Sequence, residues 1–393
     1  MPFRLPSSRI NWTNSSFLIG TFIVTCTAVP AYLWFQGVDA FQLSLFFFFF
    51  IGTGLSITLG YHRLFAHVAF QASWPVRLVT LIFGAAAFEN TALMWVSDHR
   101  RHHKHVDHDD DPYDISKGFW YAHIGWILFK LDPEPPLDNV ADLRKDRLVM
   151  WQDRNYLLLA VGVGFLVPAA LGFLHSGWMG ALGGFLLGGV ARVTAVQHMT
   201  FFINSLCHTV GRQPYSDRCS ARDSWLMAIF TFGEGYHNYH HEFQHDYRNG
   251  VKWWQWDPTK WTIWTLEKLH LVRGLRRVPE DRVLLSQLAD TRRRLNARLT
   301  CPKGRLNVRL RELLEAKDAR LHVLGERWTA IKAQYAEKAG ALKAEYAEKA
   351  GALKAEYSER AIAQFEEARA ALAEIRREVS QTLALLEMAG SAA

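Results

Sequence analysis

Four apolar runs, arranged as two pairs, constrain the fold of this chain more than any other feature. The runs cover residues 17–35, 41–60, 157–174 and 178–196. Each is close to the roughly 20 apolar residues that an α-helix needs to cross a bilayer. The connections within the pairs, residues 36–40 and 175–177, are short and contain no lysine or arginine. The pattern predicts two helical hairpins, each of which returns the chain to the side on which it started.

The basic residues predict which side of the membrane the chain ends face. Lysine and arginine number 45 against 38 acidic residues, giving a formal net charge of +7. Because neither short connection is basic, the positive-inside rule places both connections outside and the other segments in the cytoplasm. We predict a multi-pass integral protein of the inner (cell) membrane, with both termini cytoplasmic and membrane lipids as neighbours. Nucleic acid, another partner of basic chains, is not expected.

A further apolar stretch, residues 78–96, contains Glu89 and Asn90. If it crossed the membrane, the histidine-rich segments before and after it would lie on opposite faces and could not share a metal. We therefore expect this stretch to lie in the membrane interface or to dip into it.

Nine histidines are the candidate functional residues of the cytoplasmic side. They are His62, His67, His99, His102, His103, His208, His237, His240 and His241. If residues 99–103 are helical, His99 and His103 share one face at i, i+4 spacing. Imidazole-rich ligation without a thiolate suits iron, copper, nickel or zinc and does not choose among them. One ion takes three or four protein ligands, so this number predicts two metals. Two redox metals beside apolar helices favour oxygen activation against an unactivated C–H bond.

Carboxylates near the histidines are candidates for orienting the imidazoles. Asp98 adjoins His99, and Glu234 lies three residues before His237. Such a role and simple surface charge are equal alternatives for both side chains. His105 and His108 lie beside the acidic residues of 107–111, and we interpret this stretch as a solvated polar loop in preference to a further metal site.

The end of the chain differs from the rest and is rich in Ala, Glu, Lys, Arg and Leu. Near-copies of an 11-residue unit are headed by Tyr335, Tyr346 and Tyr357. This period suits a long helix that pairs with little or slightly right-handed supercoil. We predict a linker helix over residues 276–302 and a helical coiled-coil tail over residues 303–393. Self-association or partner binding through the tail, and a solvated single helix, both stay open.

The histidine clusters resemble the three histidine boxes of the membrane fatty-acyl desaturases. The stretches are H-R-L-F-A-H from His62, D-H-R-R-H-H from Asp98 and G-E-G-Y-H-N-Y-H-H from Gly233. Residues 118–126, 204–208 and 257–261 add to the likeness, which is closest to the acyl-CoA delta-9 (stearoyl-CoA-type) branch. The resemblance covers roughly residues 17–273 and leaves out the tail. We therefore assign residues 1–275 to a membrane desaturase domain.

The resemblance implies an all-α integral membrane fold, with four transmembrane helices capped by a cytoplasmic helical domain that holds two iron ions. One iron would be held by His62, His67, His99, His103 and His241. The other would be held by His102, His208, His237 and His240, with Asn204 contacting it through a water. No catalytic residue beyond these metal ligands is implied.

The implied reaction is an O2-dependent desaturation of a saturated acyl chain. It would introduce a cis double bond, at the delta-9 position by resemblance, with two electrons from a carrier such as ferredoxin or a small haem protein. The substrate would be a long-chain acyl thioester or an acyl lipid.

The resemblance also implies three pairs of substrate-binding residues, which are Glu89 and Asn90, Thr200 and Phe201, and Phe50 and Gly54. The first pair would contact the acyl carbonyl and its carrier, the second would bend the chain, and the third would close the tunnel end. Relatives often have glutamine where this chain has Glu89, so a glycerolipid or an acyl carrier protein ester stays open beside CoA.

Two other functions remain alternatives. A membrane di-iron fatty-acyl or lipid hydroxylase would use the same oxidant to add oxygen to carbon, and product analysis separates the two. A non-catalytic membrane scaffold that acts through its tail would lack iron, so metal content tests it.

Overall fold

The computed structural model describes residues 7–130, 136–280, 282–287 and 289–290, and single residues or pairs between 293 and 381. The chain separates into two compact units. The first comprises residues 1–213 and 217–278 and contains every predicted site residue. The second comprises residues 214–216 and 279–393. The 11-residue repeats at residues 335–357 lie outside the described residues, so the coiled coil stays a prediction.

The described part of the first unit is helical apart from one short sheet. Its helices are α1 Trp12–Gln36, α2 Ala40–Leu55, α3 Trp74–Ala85, α4 Ala92–His105, α5 Trp126–Leu128, α6 Ala141–Arg144, α7 Arg147–Arg154, α8 Tyr156–Val161, α9 Val167–Gly183, α10 Arg192–Ser205, α11 Trp225–Phe230, α12 His237–Glu242 and α13 Pro258–Lys268. Wider π-helical segments lie at Ser56–Ala66, Tyr121–Gly125, Gly162–Leu166 and Gly184–Ala191, and 3₁₀ turns at Ser7–Arg9, Ile115–Lys117 and Leu206–His208. Strands β1 Gln71–Ala72 and β2 Val272–Arg273 pair antiparallel.

Among the residues that the structure describes, three helices are long and apolar enough to cross a membrane. They are Trp12–Gln36, Ala40–Ala66 and Tyr156–His208. The third has 53 residues, and a straight helix of that length would reach about 80 Å, far beyond the hydrocarbon core. Ser176 and Gly177 interrupt it, with non-helical backbone angles at both residues.

The two halves of this third helix form a hairpin. A Cβ atom added at Gly172 would clash with the Gly180 carbonyl oxygen, and one at Gly184 would clash with the Pro168 carbonyl oxygen. Residues equally far before and after the interruption therefore touch, which requires antiparallel packing. Small residues allow such close backbone contact between apolar helices. This third helix therefore contributes two apolar segments that pack side by side.

The first pair turns at residues 37–39. Gly37 adopts a left-handed φ of 72°, and the Asp39 carboxylate caps α2 by accepting from the Gln42 backbone N–H at 2.8 Å. The Gln42 side chain donates to the Tyr32 hydroxyl at 2.7 Å across the pair. By contrast, α3 has only 12 residues and spans about 18 Å. It ends at Ala85, before Glu89, so the 78–96 stretch is two helices with a turn between them.

The π-helical segment Ser56–Ala66 forms the centre of the core, and all of its residues are buried. It packs with Leu81, Val96 and Ile263 in one apolar cluster. At its end the His67 backbone N–H donates to the carbonyl of His62, five residues earlier. That is the π-helical hydrogen bond. On an α-helix residues five apart point about 140° away from each other, so the π turn brings the two imidazoles to one side.

Candidate metal centre

The nine predicted histidines converge on two neighbouring groups. The first group is His62, His67, His99, His103 and His240, and the second is His102, His208, His237 and His241. Within each group the ligand atoms lie within 4.8 Å of one another. All nine side chains are buried or half-buried. Each group can therefore hold one metal ion.

Two helices each contribute histidines to both groups. Helix α4 gives His99 and His103, one turn apart, to the first group and His102, on the adjacent face, to the second. Helix α12 gives His237 and His241, also one turn apart, to the second group and the intervening His240 to the first. The i, i+4 spacing thus sets which histidines share an ion.

The structure groups His240 and His241 the other way from the assignment implied by resemblance. His240 Nε2 lies 3.0 Å from His62 Nε2 and 2.9 Å from His103 Nε2, in the first group. His241 Nε2 lies 3.1 Å from His237 Nε2, in the second. The helical period of α12 explains the exchange, because His241 lies about 40° to one side of His237 around the helix axis and His240 about 60° to the other side.

The residues present fit metal ions. Within the groups the Nε2 atoms point at one another, at 2.8 Å for His67 and His99 and at 3.1 Å for His208 and His237. Two imidazole nitrogens bound at right angles to one ion, each about 2.1 Å away, lie about 3 Å apart. Burial also lowers the pKa of the His99 imidazole well below its usual value. A neutral ring offers the lone pair that a metal needs.

Buried carboxylates orient one imidazole of each group. Glu234 Oε2 lies 3.0 Å from His62 Nδ1, and Asp111 Oδ1 lies 2.8 Å from His102 Nδ1. A carboxylate on Nδ1 fixes the tautomer that leaves Nε2 free for a metal. Of the two carboxylates weighed from the sequence, Glu234 takes this position, while Asp98 lines the adjacent cavity. The interpretation of residues 107–111 as a solvated loop is wrong for Asp111, which is buried.

Glu234 belongs to a buried ionic cluster that joins distant motifs. Arg63, only 1% exposed, donates to Glu234 Oε1 at 2.8 Å and to Asp257 Oδ2 at 3.1 Å. Although burial by itself raises it, the Arg63 guanidinium holds the pKa of Glu234 below its usual value. This cluster therefore joins residues 62–63, 234 and 257. The contact explains why the stretch that begins at Asp257 shares the resemblance carried by the histidine clusters.

A cavity of about 480 Å³ opens beside the histidines. Four histidines line it, two from each group: His62, His99, His102 and His237. The predicted substrate residues Glu89, Asn90, Thr200, Phe201 and Gly54 line it as well, and so does Asn204. The predicted Phe50 stands behind the wall, with its ring centroid 5.5 Å from that of Phe232, which lines the cavity.

Glu89 bridges two walls of the cavity. The Thr200 hydroxyl donates to Glu89 Oε1 at 2.8 Å, and the Trp95 indole N–H donates to Oε2 at 3.3 Å. Burial raises the pKa of the Glu89 carboxyl to about 8, so at pH 7 this side chain is largely neutral. Trp95 was missed from the sequence, although it stands one helical turn before His99 and stacks on its ring at 4.8 Å.

Phe232, also missed, occupies the end of the cavity next to Gly54. No side chain is tolerated at Gly54, because a Cβ atom there would clash with the Phe232 ring. The backbone of Phe232 has φ 54°, a region that costs a bulky residue energy and occurs mainly where function or packing demands it. Phe232 directly precedes the G-E-G stretch, which was the available signal.

Comparison with known proteins decides the family. The family model described as fatty acid desaturase matches residues 39–272. The chain belongs to the fatty acid desaturase family. The matched span contains both histidine groups and most of the cavity lining.

Individual relatives differ in the acyl carrier that their names give. Acyl-CoA desaturase 1 of Saccharomyces cerevisiae is 38% identical over 297 residues, 74% of this chain and 56% of that protein. Hex-5-enoyl-(acyl-carrier protein) acetylenase of Moorena producens is 34% identical over 263 residues, 64% of this chain and 81% of that protein. The sn-1 stearoyl-lipid 9-desaturase of Synechocystis is 33% identical over 271 residues, 68% of this chain and 81% of that protein. The chain thus matches a little over half the length of the yeast relative.

Proposed function

We propose that this chain is an O2-dependent fatty-acyl desaturase that introduces a cis double bond, at the delta-9 position, into a saturated acyl chain. The observation that carries the proposal is the cavity that shares four histidines with the two metal-binding groups. A chain bound in that cavity would have its C–H bonds directly beside both groups. The hydroxylase alternative finds no support in the names of the relatives.

Two iron ions are the proposed cofactors, held by the five histidines of the first group and the four of the second, with Asn204 nearby. Imidazole nitrogen is a ligand that suits iron. When bound, the iron pair would supply, with O2 and two external electrons, the oxidising power to remove two hydrogens from adjacent methylenes. Glu234 and Asp111 would hold His62 and His102 in the ligating tautomer.

The cavity lining would position the acyl chain. Thr200 and Phe201 on α10, tied to Glu89 by the Thr200 hydrogen bond, would shape the chain where it passes the histidines. Phe50 and Gly54 would limit chain length through Phe232, whose ring they contact. Asn90 would contact the polar end of the substrate. Apolar walls exclude water from the reacting methylenes.

The carrier and the electron donor are proposed by class. The acyl chain would arrive as a long-chain acyl thioester or an acyl lipid, consistent with the carriers named for the relatives. The donor would be ferredoxin or a small haem protein, acidic enough to meet the basic cytoplasmic side.

We also propose the membrane arrangement. The four apolar segments would cross the inner (cell) membrane in two hairpins, with both termini and the histidine groups in the cytoplasm. Three long apolar helices, one of them folded into a hairpin, support this topology. Residues 1–275 would form the desaturase domain, residues 276–302 a linker helix, and residues 303–393 a coiled-coil tail for self-association.

Fatty-acid profiling with mass-spectrometric location of the double bond tests the proposal. It compares cells expressing the unmodified chain with cells expressing a His102→Ala, His103→Ala variant, which damages both groups. A cis-9 monoene found only with the unmodified chain is the expected result. A hydroxylated or keto product would favour the hydroxylase. No product, despite bound iron and an active electron donor, would overturn the acyl substrate.

A further inference from the structure

His208 reaches the second histidine group without a carboxylate on its ring. Instead its Nδ1 lies 2.7 Å from Ser220 Oγ. The Ser220 hydroxyl lies 2.5 Å from Asp107 Oδ1, and the Ser220 backbone N–H donates to Asp107 Oδ2 at 2.6 Å. Asp107, 113 residues before Ser220 in the sequence, thus begins a series of hydrogen bonds that ends at a candidate metal ligand.

The direction of each hydrogen bond follows from the chemistry of the groups. An ionised carboxylate only accepts, so the Ser220 hydroxyl donates its single proton to Asp107. The Ser220 oxygen must then accept from His208, which requires the proton of the neutral imidazole on Nδ1. That leaves the lone pair on Nε2, which faces His237 Nε2 at 3.1 Å inside the second group.

The loop that follows α4 contributes to this series of hydrogen bonds and to a second one. Asp111 on the same loop orients His102, and its Oδ2 accepts from the Asp107 backbone N–H at 3.2 Å. Asp107 itself has φ 64°, a left-handed conformation that Asp and Asn adopt more easily than other side chains. One short loop therefore fixes the rings of two of the four histidines in the second group.

We propose that Asp107 and Ser220 are positioning residues for His208, and that the loop at residues 107–111 is the outer support of the second metal site. This inference rests on the proposed metal centre. Partners of ligating histidines are worth roughly 10- to 100-fold in metal affinity. Loss of the Ser220 hydroxyl should therefore weaken one iron and leave the other in place.

The decisive comparison is Ser220→Thr against Ser220→Val in the purified full-length chain. The two side chains have nearly the same shape, and only threonine keeps the hydroxyl. Iron content is measured by elemental analysis during titration with a chelator, and thermal unfolding is recorded alongside. Ser220→Ala and Asp107→Ala extend the series, and Ser116→Ala, on an exposed turn of the same region, serves as the control.

The expected result is that Ser220→Thr and the control keep both irons, while Ser220→Val and Asp107→Ala lose one iron at a chelator concentration roughly 10- to 100-fold lower. Equal chelator resistance of the Thr and Val variants would overturn the positioning role. The role would also be overturned if both variants lost one iron at the same low chelator concentration, because the shape of the side chain and not its hydroxyl would then matter. If the unmodified chain bound no iron, the proposed metal centre itself would be refuted. The iron content of the unmodified chain therefore separates this failure from a failure of the positioning role.

Discussion

The two histidine groups are built in different ways. The first depends on the core, since His62 lies on the fully buried π-helical segment and is backed by the cluster of Glu234, Arg63 and Asp257. The second depends on loops, since His208 is backed by the half-buried Ser220 and Asp107 and His102 by the buried Asp111. Damage to the first support should therefore cost folding stability as well as metal, and damage to the second should cost metal alone.

This difference also predicts which of the two groups loses its metal ion first. Loops open at lower free energy than core segments, so the second group should release its ion first. The two sites, although they share helices α4 and α12, are then expected to differ in metal affinity and exchange rate.

The largest effect is expected from Glu234→Gln. Removing one partner of a buried ion pair typically costs about 3–5 kcal/mol, because the remaining charge loses its compensation. Arg63 would keep Asp257 but lose the negative charge at residue 234. We expect a marked fall in the thermal unfolding midpoint together with loss of iron from the first group.

Glu242→Gln is the matched control for that change. Glu242 pairs with Arg218, whose side chain is 74% exposed, and an exposed pair contributes only about 0–1 kcal/mol. Its midpoint and iron content should stay close to those of the unmodified chain. A Glu234→Gln protein as stable as this control would contradict the dependence of the first group on the core.

An intermediate effect is expected from Asp111→Asn. It removes the charge that faces His102 Nδ1 at 2.8 Å but keeps a side chain of nearly the same shape. We expect roughly 10- to 100-fold weaker metal binding at the second group, with little change in thermal unfolding. Chelator titration and calorimetry measure the two quantities on one sample.

Asp109→Asn, on the same loop but exposed, controls for a change of loop charge. If Asp111→Asn lowered the unfolding midpoint as far as Glu234→Gln does, the contrast between a core-supported and a loop-supported group would be lost.

The sequence predicted the parts of this architecture that depend on period and composition. Paired apolar runs with Lys/Arg-free connections predicted the two hairpins, and i, i+4 spacing predicted that His99 and His103 share a face. The nine histidines that converge are the nine expected. These features depend on local pattern, which needs no knowledge of distant contacts.

Long-range contacts were the part that the sequence could not supply. The exchange of His240 and His241 depends on which face of α12 is turned towards each histidine group, and tertiary packing sets that orientation. Asp111 looked like surface charge because its burial comes from tertiary packing, not from its acidic neighbours. Asp107 and Ser220 are 113 residues apart, and a serine in a loop carries no signal of its partner.

We expect the smallest effect from Glu89→Gln. Glu89 lines the cavity and contacts the first group indirectly, through Trp95. Burial raises the pKa of Glu89 from 4.5 to about 8. A carboxyl with a raised folded-state pKa favours folding fully below the unfolded value of 4.5, and this contribution is lost as the pH rises towards 8. The unmodified chain should therefore lose thermal stability across that window more steeply than Glu89→Gln, which has no proton to release. Thermal unfolding at a series of pH values measures this difference.

The same change tests whether Glu89 acts on the chemistry or only on stability. Glutamine can place its single acceptor oxygen against the Trp95 indole N–H and donate from its amide nitrogen to the Thr200 hydroxyl, so the bridge between the cavity walls can persist at every pH. In the unmodified chain, ionisation above about pH 8 places an uncompensated charge beside Trp95, which stacks on His99 of the first group. Product formation should therefore fall at alkaline pH in the unmodified chain and fall less in Glu89→Gln, with Glu267→Gln on α13 as the control. Parallel pH profiles for all three proteins would mean that the bridge does not depend on the proton, and that the first group is insulated from the cavity wall.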